Sequence, residues 1–260
     1  MDYLLFRLYG PMASWGEIAV GETRHSAAYP GKSALIGLLA AALGIKRDDH
    51  DGQEEMRQGY RFAVEVYSHG SLLQDFHTAQ VPDSVGGFNY RTRRDELVIG
   101  KERLGKGTIL SSREYRSDAM AVVAVKALPD APYDLLTIRE YLQKPRFHLY
   151  LGRKSCPLAA PLHPMVISGK DTFYAAFRSY EHKGLLPFHK DEGRLSKRDI
   201  HWLGLGKDRH YYWEGEAAEF ADIPDLERVQ TRVRHDQPLS RDRWQFSPRR
   251  EHYLYLPGGE

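Results

Sequence analysis

Ten consecutive residues, Ala34 to Leu43, carry no polar side chain. Leucine and alanine are strong helix formers, and a helix apolar on every side is expected to be packed inside a domain. Gly44 is placed to end it with a left-handed residue. The run is the longest apolar stretch in the chain and falls well short of the roughly 20 residues a membrane span needs. The fold must therefore supply cover for this helix from its own sheets and loops.

The start of the same helix reads Tyr29-Pro30-Gly31-Lys32-Ser33. Unpaired N–H groups at a helix N-terminus attract anions, so Lys32 and Ser33 form a candidate site for one phosphate of a polymer. A nucleotide-hydrolysing P-loop is excluded. Its first glycine would fall at position 26, which is Ser26, and Pro30 removes a donor where successive N–H groups must wrap the phosphates.

Around the helix the periodicity is that of strands. Tyr3 to Tyr9 predicts a buried strand, and Phe62, Val64 and Val66 alternate with polar or small residues. A turn at Gly70-Ser71 leads to a second strand from Leu72 towards Gln80, so this pair predicts a hairpin. His77 on that second strand is a candidate surface residue. Met120 to Val125 predicts a further strand, and Leu135, Ile138 and Leu142 mark one face of a helix. Phe147, Leu149 and Leu151 then alternate with His148 and Tyr150. This strand would deliver Gly152, Arg153, Lys154 and Ser155 to a surface before Pro157 ends it. Strand, helix, two strands, strand, helix, strand is the order of a ferredoxin-like or RRM-like α+β fold.

Residues 81 to 112 break every periodic pattern with glycines among charges, and a loop that long is expected to project and to be functional. From Arg91 to Arg116, the cations Arg91, Arg93, Arg94, Lys101, Arg103, Lys106, Arg113 and Arg116 outnumber four acids, with Tyr90 and Tyr115 at the flanks. Basic residues interleaved with aromatics neutralise phosphates and stack on unpaired bases.

Pro157, Pro161 and Pro164 mark a soft boundary. It divides residues 1–156, carrying the insertion at about 81–112, from a smaller β-rich region, 157–260. In the second part Asp171 is expected to cap a short helix, and Tyr211 to Trp213, Val229 to Val233 and His252 to Leu256 predict strands. Lys46 to Tyr60 is expected to be a solvated continuation or connection. Between Glu214 and Glu227 the acids have no basic partner in the run, which predicts a solvated or protein-docking face that repels RNA. Seven arginines lie between Arg228 and Glu251 against three acids, so the net charge of +2 hides a segregated distribution. Cys156 is the sole cysteine, which excludes an internal disulfide and fits a reducing cytoplasm. The N-terminus carries no export pattern. No cofactor or metal site is expected.

In order and spacing, several of these segments resemble the CasD family of type I-E CRISPR-associated Cascade subunits, within the repeat-associated mysterious protein superfamily. The resemblance rests on Leu8-Tyr9-Gly10-Pro11-Met12 with Trp15-Gly16, on Tyr29 to Leu38, and on Leu43-Gly44-Ile45. It continues through Asp75-Phe76-His77-Thr78, Arg113-Glu114-Tyr115 and Ser117-Asp118-Ala119 to Tyr150 to Pro157. A weaker echo lies at Arg234-His235-Asp236-Gln237-Pro238 and Gln245-Phe246.

The resemblance implies a non-catalytic RNA-binding subunit of a hetero-oligomeric ribonucleoprotein in antiviral defence. Such a subunit holds the 5′ handle of the CRISPR RNA, caps the backbone filament, and touches the backbone subunit and the large subunit. The basic insertion would be a thumb that kinks the RNA. The expected RNA-binding residues are Trp15, Arg24, Lys32, Ser33, His77, Arg91, Arg93, Arg94, Lys101, Arg103, Lys106, Arg113, Tyr115, Tyr150, Arg153, Lys154 and Ser155. A related type I-C subunit processes the precursor itself, so a metal-independent endoribonuclease is the alternative. Its candidate acid, base and cation would come from His25, Tyr29, Lys32 and His77.

Overall fold

A central antiparallel sheet gathers strands from both ends of the chain. The computed structural model describes residues 1–19, 21–80, 82, 89–98, 108–183, 196–202, 208–240, 243 and 245–258. The elements begin with β1 (Tyr3–Tyr9), four two-residue strands, β2 (Met12–Ala13), β3 (Trp15–Gly16), β4 (Thr23–Arg24) and β5 (Ser26–Ala27), then helices α1 (Lys32–Leu43) and α2 (His50–Gly59). There follow β6 (Tyr60–Ser68), β7 (Ser71–Gln80), α3 (Arg93–Val98), β8 (Thr108–Ser117), β9 (Met120–Ala127) and α4 (Leu135–Gln143). The last part holds β10 (Met165–Ile167), α5 (Phe173–Arg178), α6 (Lys197–Trp202), β11 (Arg209–Trp213), β12 (Gln230–Ser240) and β13 (Gln245–Leu256).

Seven strands form the main sheet in the order β10-β1-β9-β6-β11-β13-β12. Helices α1 and α4 pack on one face over Leu4, Phe6, Val64, Val123 and Val125. The alternate residues Tyr3, Leu5, Ala63 and Val122 face a second core closed by α5, Phe220 and Ile223. This two-sided burial explains why β1 and β9 read as near-continuous apolar runs.

Several expectations change at this level. The segment Phe147–Leu151 is not a strand. It holds one isolated bridge, Tyr150 to Pro157, while the N–H groups of Arg146 and Phe147 bind the carbonyls of Ala42 and Ala41 at 2.9 and 3.0 Å. These orphan carbonyls at the end of α1 need partners, and they take the donors where this segment begins, while the Leu151 N–H turns back to Cys156 O at 2.8 Å. The strand that flanks β1 after α4 is β10 instead. Nor do β6 and β7 form a hairpin, because β7 leaves the main sheet and pairs with β8. The polar stretch after Gly44 contains α2, capped by the Asp49 carboxylate, which accepts from the Gly52 N–H at 3.0 Å. Thr172, not Asp171, caps α5, with its hydroxyl accepting from Ala175 N–H.

The soft boundary at 157 divides the chain in sequence and not in space. Strands β10 and β11 bond to β1 and β6 of the first part. Two of the acids of 214–227 find bases far away in sequence, while Asp225 pairs locally with Arg228 at 3.0 Å. Glu214 pairs with Lys32 at 2.9 Å, and Glu219 takes both Arg61 and Lys126. The expected solvated or docking face is therefore in part a seam that joins the two parts.

Candidate nucleic-acid interface

Helix α1 is not sealed on every side. Ser33, Ala34, Gly37 and Ala41 recur at helical spacing on a half-buried stripe, and this stripe floors a groove of 1010 Å³. Small residues keep the floor low, so a ligand can approach the helix backbone. The buried side of α1 carries Leu35, Ile36, Leu38 and Leu39.

Three segments build the walls. Gly16, Glu17 and Ile18 lie on one side, Lys46, Arg47 and Asp48 stand beyond the helix end, and Phe147, His148, Tyr150, Gly152 and Lys154 form the third wall. Gly44 shapes the second wall. It ends α1 at φ 85°, with its N–H on Ala40 O, and so turns Lys46 and Arg47 back towards the groove. Gly152 shapes the third. Its φ is 85°, and a Cβ there would lie 1.9 Å from the Ser14 carbonyl oxygen, so only glycine lets the 150–157 turn sit on β2 and β3. His235, Asp236 and Phe246 of the β12–β13 ribbon close the end near the start of α1.

That ribbon is pinned by buried charge. The Asp236 carboxylate accepts from the Lys32 backbone N–H at 2.7 Å and from Arg249 Nε at 2.5 Å. Glu251 receives Arg232, Arg234 and Arg249 and the Tyr29 hydroxyl. Burial alone would raise the pKa values of both acids, but the arginines outweigh it and hold both below the usual carboxylate range.

The anion at the α1 N-terminus is thus the protein's own carboxylate, which corrects the expected phosphate site. Lys32 is buried, with its ammonium on Glu214. Trp15 and Tyr115 are also buried, so neither ring offers a face to a base. Arg153 lies over the Tyr115 ring at 5.1 Å and braces the turn. Of the expected residues the groove collects Ser33, Tyr150 and Lys154, with Ser155 exposed beside them. A separate patch forms on the small sheet, where Asp75, Arg113 and Arg24 lie in one row across β7, β8 and β4. His77 is near it, 2.6 Å from Asp75 but without hydrogen-bond alignment. Arg91 and Arg94 are exposed around α3, and Arg93 binds Gln80 O at 2.7 Å. Lys101, Arg103 and Lys106 lie outside the described residues.

The four candidates for cleavage chemistry are not assembled. His25 sits on Glu114 at 3.0 Å, His77 on Asp75, Tyr29 on Glu251 and Lys32 on Glu214. Burial raises the Tyr29 hydroxyl far above its ordinary value, which removes it as an acid near neutrality.

The groove also contains residues that sequence reasoning passed over: Lys46, Arg47, His148, His235 and Phe246. For His235 and Phe246 the signal was present in the echo at Arg234–Pro238 and Gln245–Phe246. For Lys46 and Arg47 it was the position of two cations one residue beyond a capping glycine.

A family model described as CRISPR-associated protein (Cas_Cas5) matches residues 3–251. The chain is 36% identical over 166 residues to the CRISPR system Cascade subunit CasD of Escherichia coli (strain K12), covering 62% of this chain and 69% of that protein. A chain from a solved structure entitled CRISPR RNA-guided surveillance complex superposes with a TM-score of 0.62 at 23% identity, over 98% of this chain and 90% of that one. A second, entitled Crystal structure of Cas protein, gives 0.58 at 24% identity, over 98% and 95%. At such identities the two structures establish a shared fold.

Proposed function

The chain belongs to the CRISPR-associated (Cas_Cas5) family, among the CasD-type subunits of type I-E Cascade, and from that premise we propose that it holds the 5′ handle of a CRISPR RNA in the groove along α1. The observation that carries this reading is the groove itself. It has a low floor of small residues, cations at Lys46, Arg47 and Lys154, and rings at Tyr150, His148 and Phe246. Cations along a backbone track with flanking rings suit a single strand, because phosphates need charge and unstacked bases need flat surfaces.

The strand order β10-β1-β9-β6 with α1 and α4 on one face supports a ferredoxin-like reading of the first part, with β10 in the role first expected of Phe147–Leu151. The β7–β8 arm, which leads into the basic insertion, serves as the thumb. Together with the capping of one filament end, it meets the backbone and large subunits in the cytoplasm. The role is binding without catalysis, since the candidate acid, base and cation each end on a separate carboxylate.

The test uses the full chain and a labelled repeat RNA from its own CRISPR array. Lys46→Glu with Lys154→Glu is expected to weaken binding at least about tenfold and to make the salt dependence shallower by about one to two units of slope. Unchanged affinity in the folded double variant would overturn the groove assignment. Specific cleavage of the RNA in EDTA, lost in His77→Ala, would overturn the binding-only role.

A further inference from the structure

Beyond α4 and the groove, the same face of the sheet continues across β11, β13 and β12. His210 stands opposite Tyr255, and Tyr212 opposite Tyr253. Residues directly opposite in neighbouring strands share a face, so this register lines up four rings. Tyr212 stacks on Tyr253 at 5.0 Å and 23°. His210 lies parallel to Tyr253 at 6.0 Å and 14° and tilts on Tyr255 at 4.8 Å. His69, just past β6, meets His210 edge-on at 4.4 Å. Of these rings only Tyr212 is fully buried, while Tyr253, Tyr255, His210 and His69 are each partly open to solvent.

The charges around them favour a polyanion. Arg232 lies over Tyr212 at 5.0 Å and Tyr253 at 5.5 Å, and its side chain is 44% exposed. It belongs to the network in which, among the described residues, the guanidiniums of Arg232, Arg234 and Arg249 form ion pairs with two carboxylates, Asp236 and Glu251. One positive charge is left over, and Arg232 is the member nearest solvent. Arg116 adds charge near His69, and Arg228 lies near Tyr255 together with the acid Asp208. His69 and His210 are both shifted towards the neutral form by burial, so at neutral pH they offer flat uncharged rings.

We propose that this face, Tyr253, Tyr255, His210 and His69 with Arg232 at its edge, stacks unpaired nucleobases of a single strand and forms a second nucleic-acid surface separate from the α1 groove. Stacking on aromatic rings tolerates any base, so the surface selects for an unpaired strand and not for a sequence. Arg232 anchors the adjoining phosphate, and Asp208 disfavours one at the far end.

The experiment is photo-cross-linking of the full-length protein with 4-thiouridine RNA and, in a parallel arm, 4-thiothymidine DNA, followed by peptide mapping. Cross-links to the peptides of β11 and β13 are expected, and the arm that gives them identifies the strand. Tyr253→Ala with Tyr255→Ala is expected to weaken oligomer binding roughly tenfold or more. Tyr253→Phe with Tyr255→Phe retains the rings and should hold affinity within about twofold. The same cross-links should persist in Lys46→Glu with Lys154→Glu, which separates this surface from the groove. If the alanine variant loses its fold, the wild-type map decides. Absence of cross-links to both strands with either oligomer, or unchanged affinity in the folded alanine variant, overturns the proposal.

Discussion

Lys32 and Lys154 look alike in sequence, each a cation directly before a serine and within two residues after a glycine, and the fold gives them opposite work. Lys32 is buried at 2.9 Å from Glu214, where the pair fixes the start of α1 to the residue after β11. Removing one member of such a pair leaves an uncompensated buried charge. Lys32→Met is therefore expected to cost about 3–5 kcal/mol in urea unfolding, close to the cost of losing a folded core residue. Lys154 is exposed on the groove rim, and Lys154→Glu should shift stability by less than about 0.5 kcal/mol. Sequence could not separate them, because the partner of Lys32 is 182 residues away and the acidic run that holds Glu214 reads locally as solvated. Gly152 was legible, since a glycine between a strand-like pattern and two cations asks for a tight turn. What it approaches, the Ser14 carbonyl, was not.

At the scale of elements, the long apolar and periodic segments were readable and their partners were less so. Helix α1, β1, β9 and α4 lie where leucine, alanine and valine patterns place them, because burial on one face or two leaves a periodic trace. Strand Phe147–Leu151 failed although its alternation is clean. The backbone donors of Arg146 and Phe147 go to α1 carbonyls, and no side-chain pattern records where a donor goes. Strand β7 pairs with β8 across an insertion whose composition hides the match. The aromatic elements carry a pH signature. Burial pushes His69 and His182 down to about 4, so between their ordinary value near 6.5 and about 4 the unfolded chain binds protons that the folded chain refuses. Stability is therefore complete above pH 6.5 and falls as pH drops through that window, by on the order of 1–2 kcal/mol per histidine after allowance for partial exposure. Thermal melting at pH 7 and pH 4.5 should show this loss, and the replacement His182→Gln should flatten the profile.

For the whole molecule, the division at residue 157 is where composition and architecture part company. A proline-rich passage normally marks a boundary, yet the sheet runs β10-β1-β9-β6-β11-β13-β12 across it. A fragment of residues 1–156 would lose β10 and β11 from both exposed edges of its sheet, the cover of α5 and Phe220 over the second core, and the partners of Lys32, Arg61 and Lys126. It is expected to give no cooperative melting transition and to bind a hydrophobic dye, whereas co-expressed 157–260 should restore folding. Acids of the second part pair with bases of the first across this seam, while Lys46 and Lys154 line the groove.

The carboxylate at the start of α1 also sets an order in time. Asp236 follows Lys32 by 204 residues, and His235 and Phe246 of the groove belong to the same late ribbon. At about 5–20 residues per second on the ribosome, roughly 10–40 s separate the synthesis of the helix from that of the residue that caps it. Through that interval the nascent chain carries the floor of the groove without its end wall. On the proposed function, capture of RNA in the closed groove would be deferred until translation is almost finished, and a chain stalled or cleaved before residue 230 would lack the wall needed to compete for it.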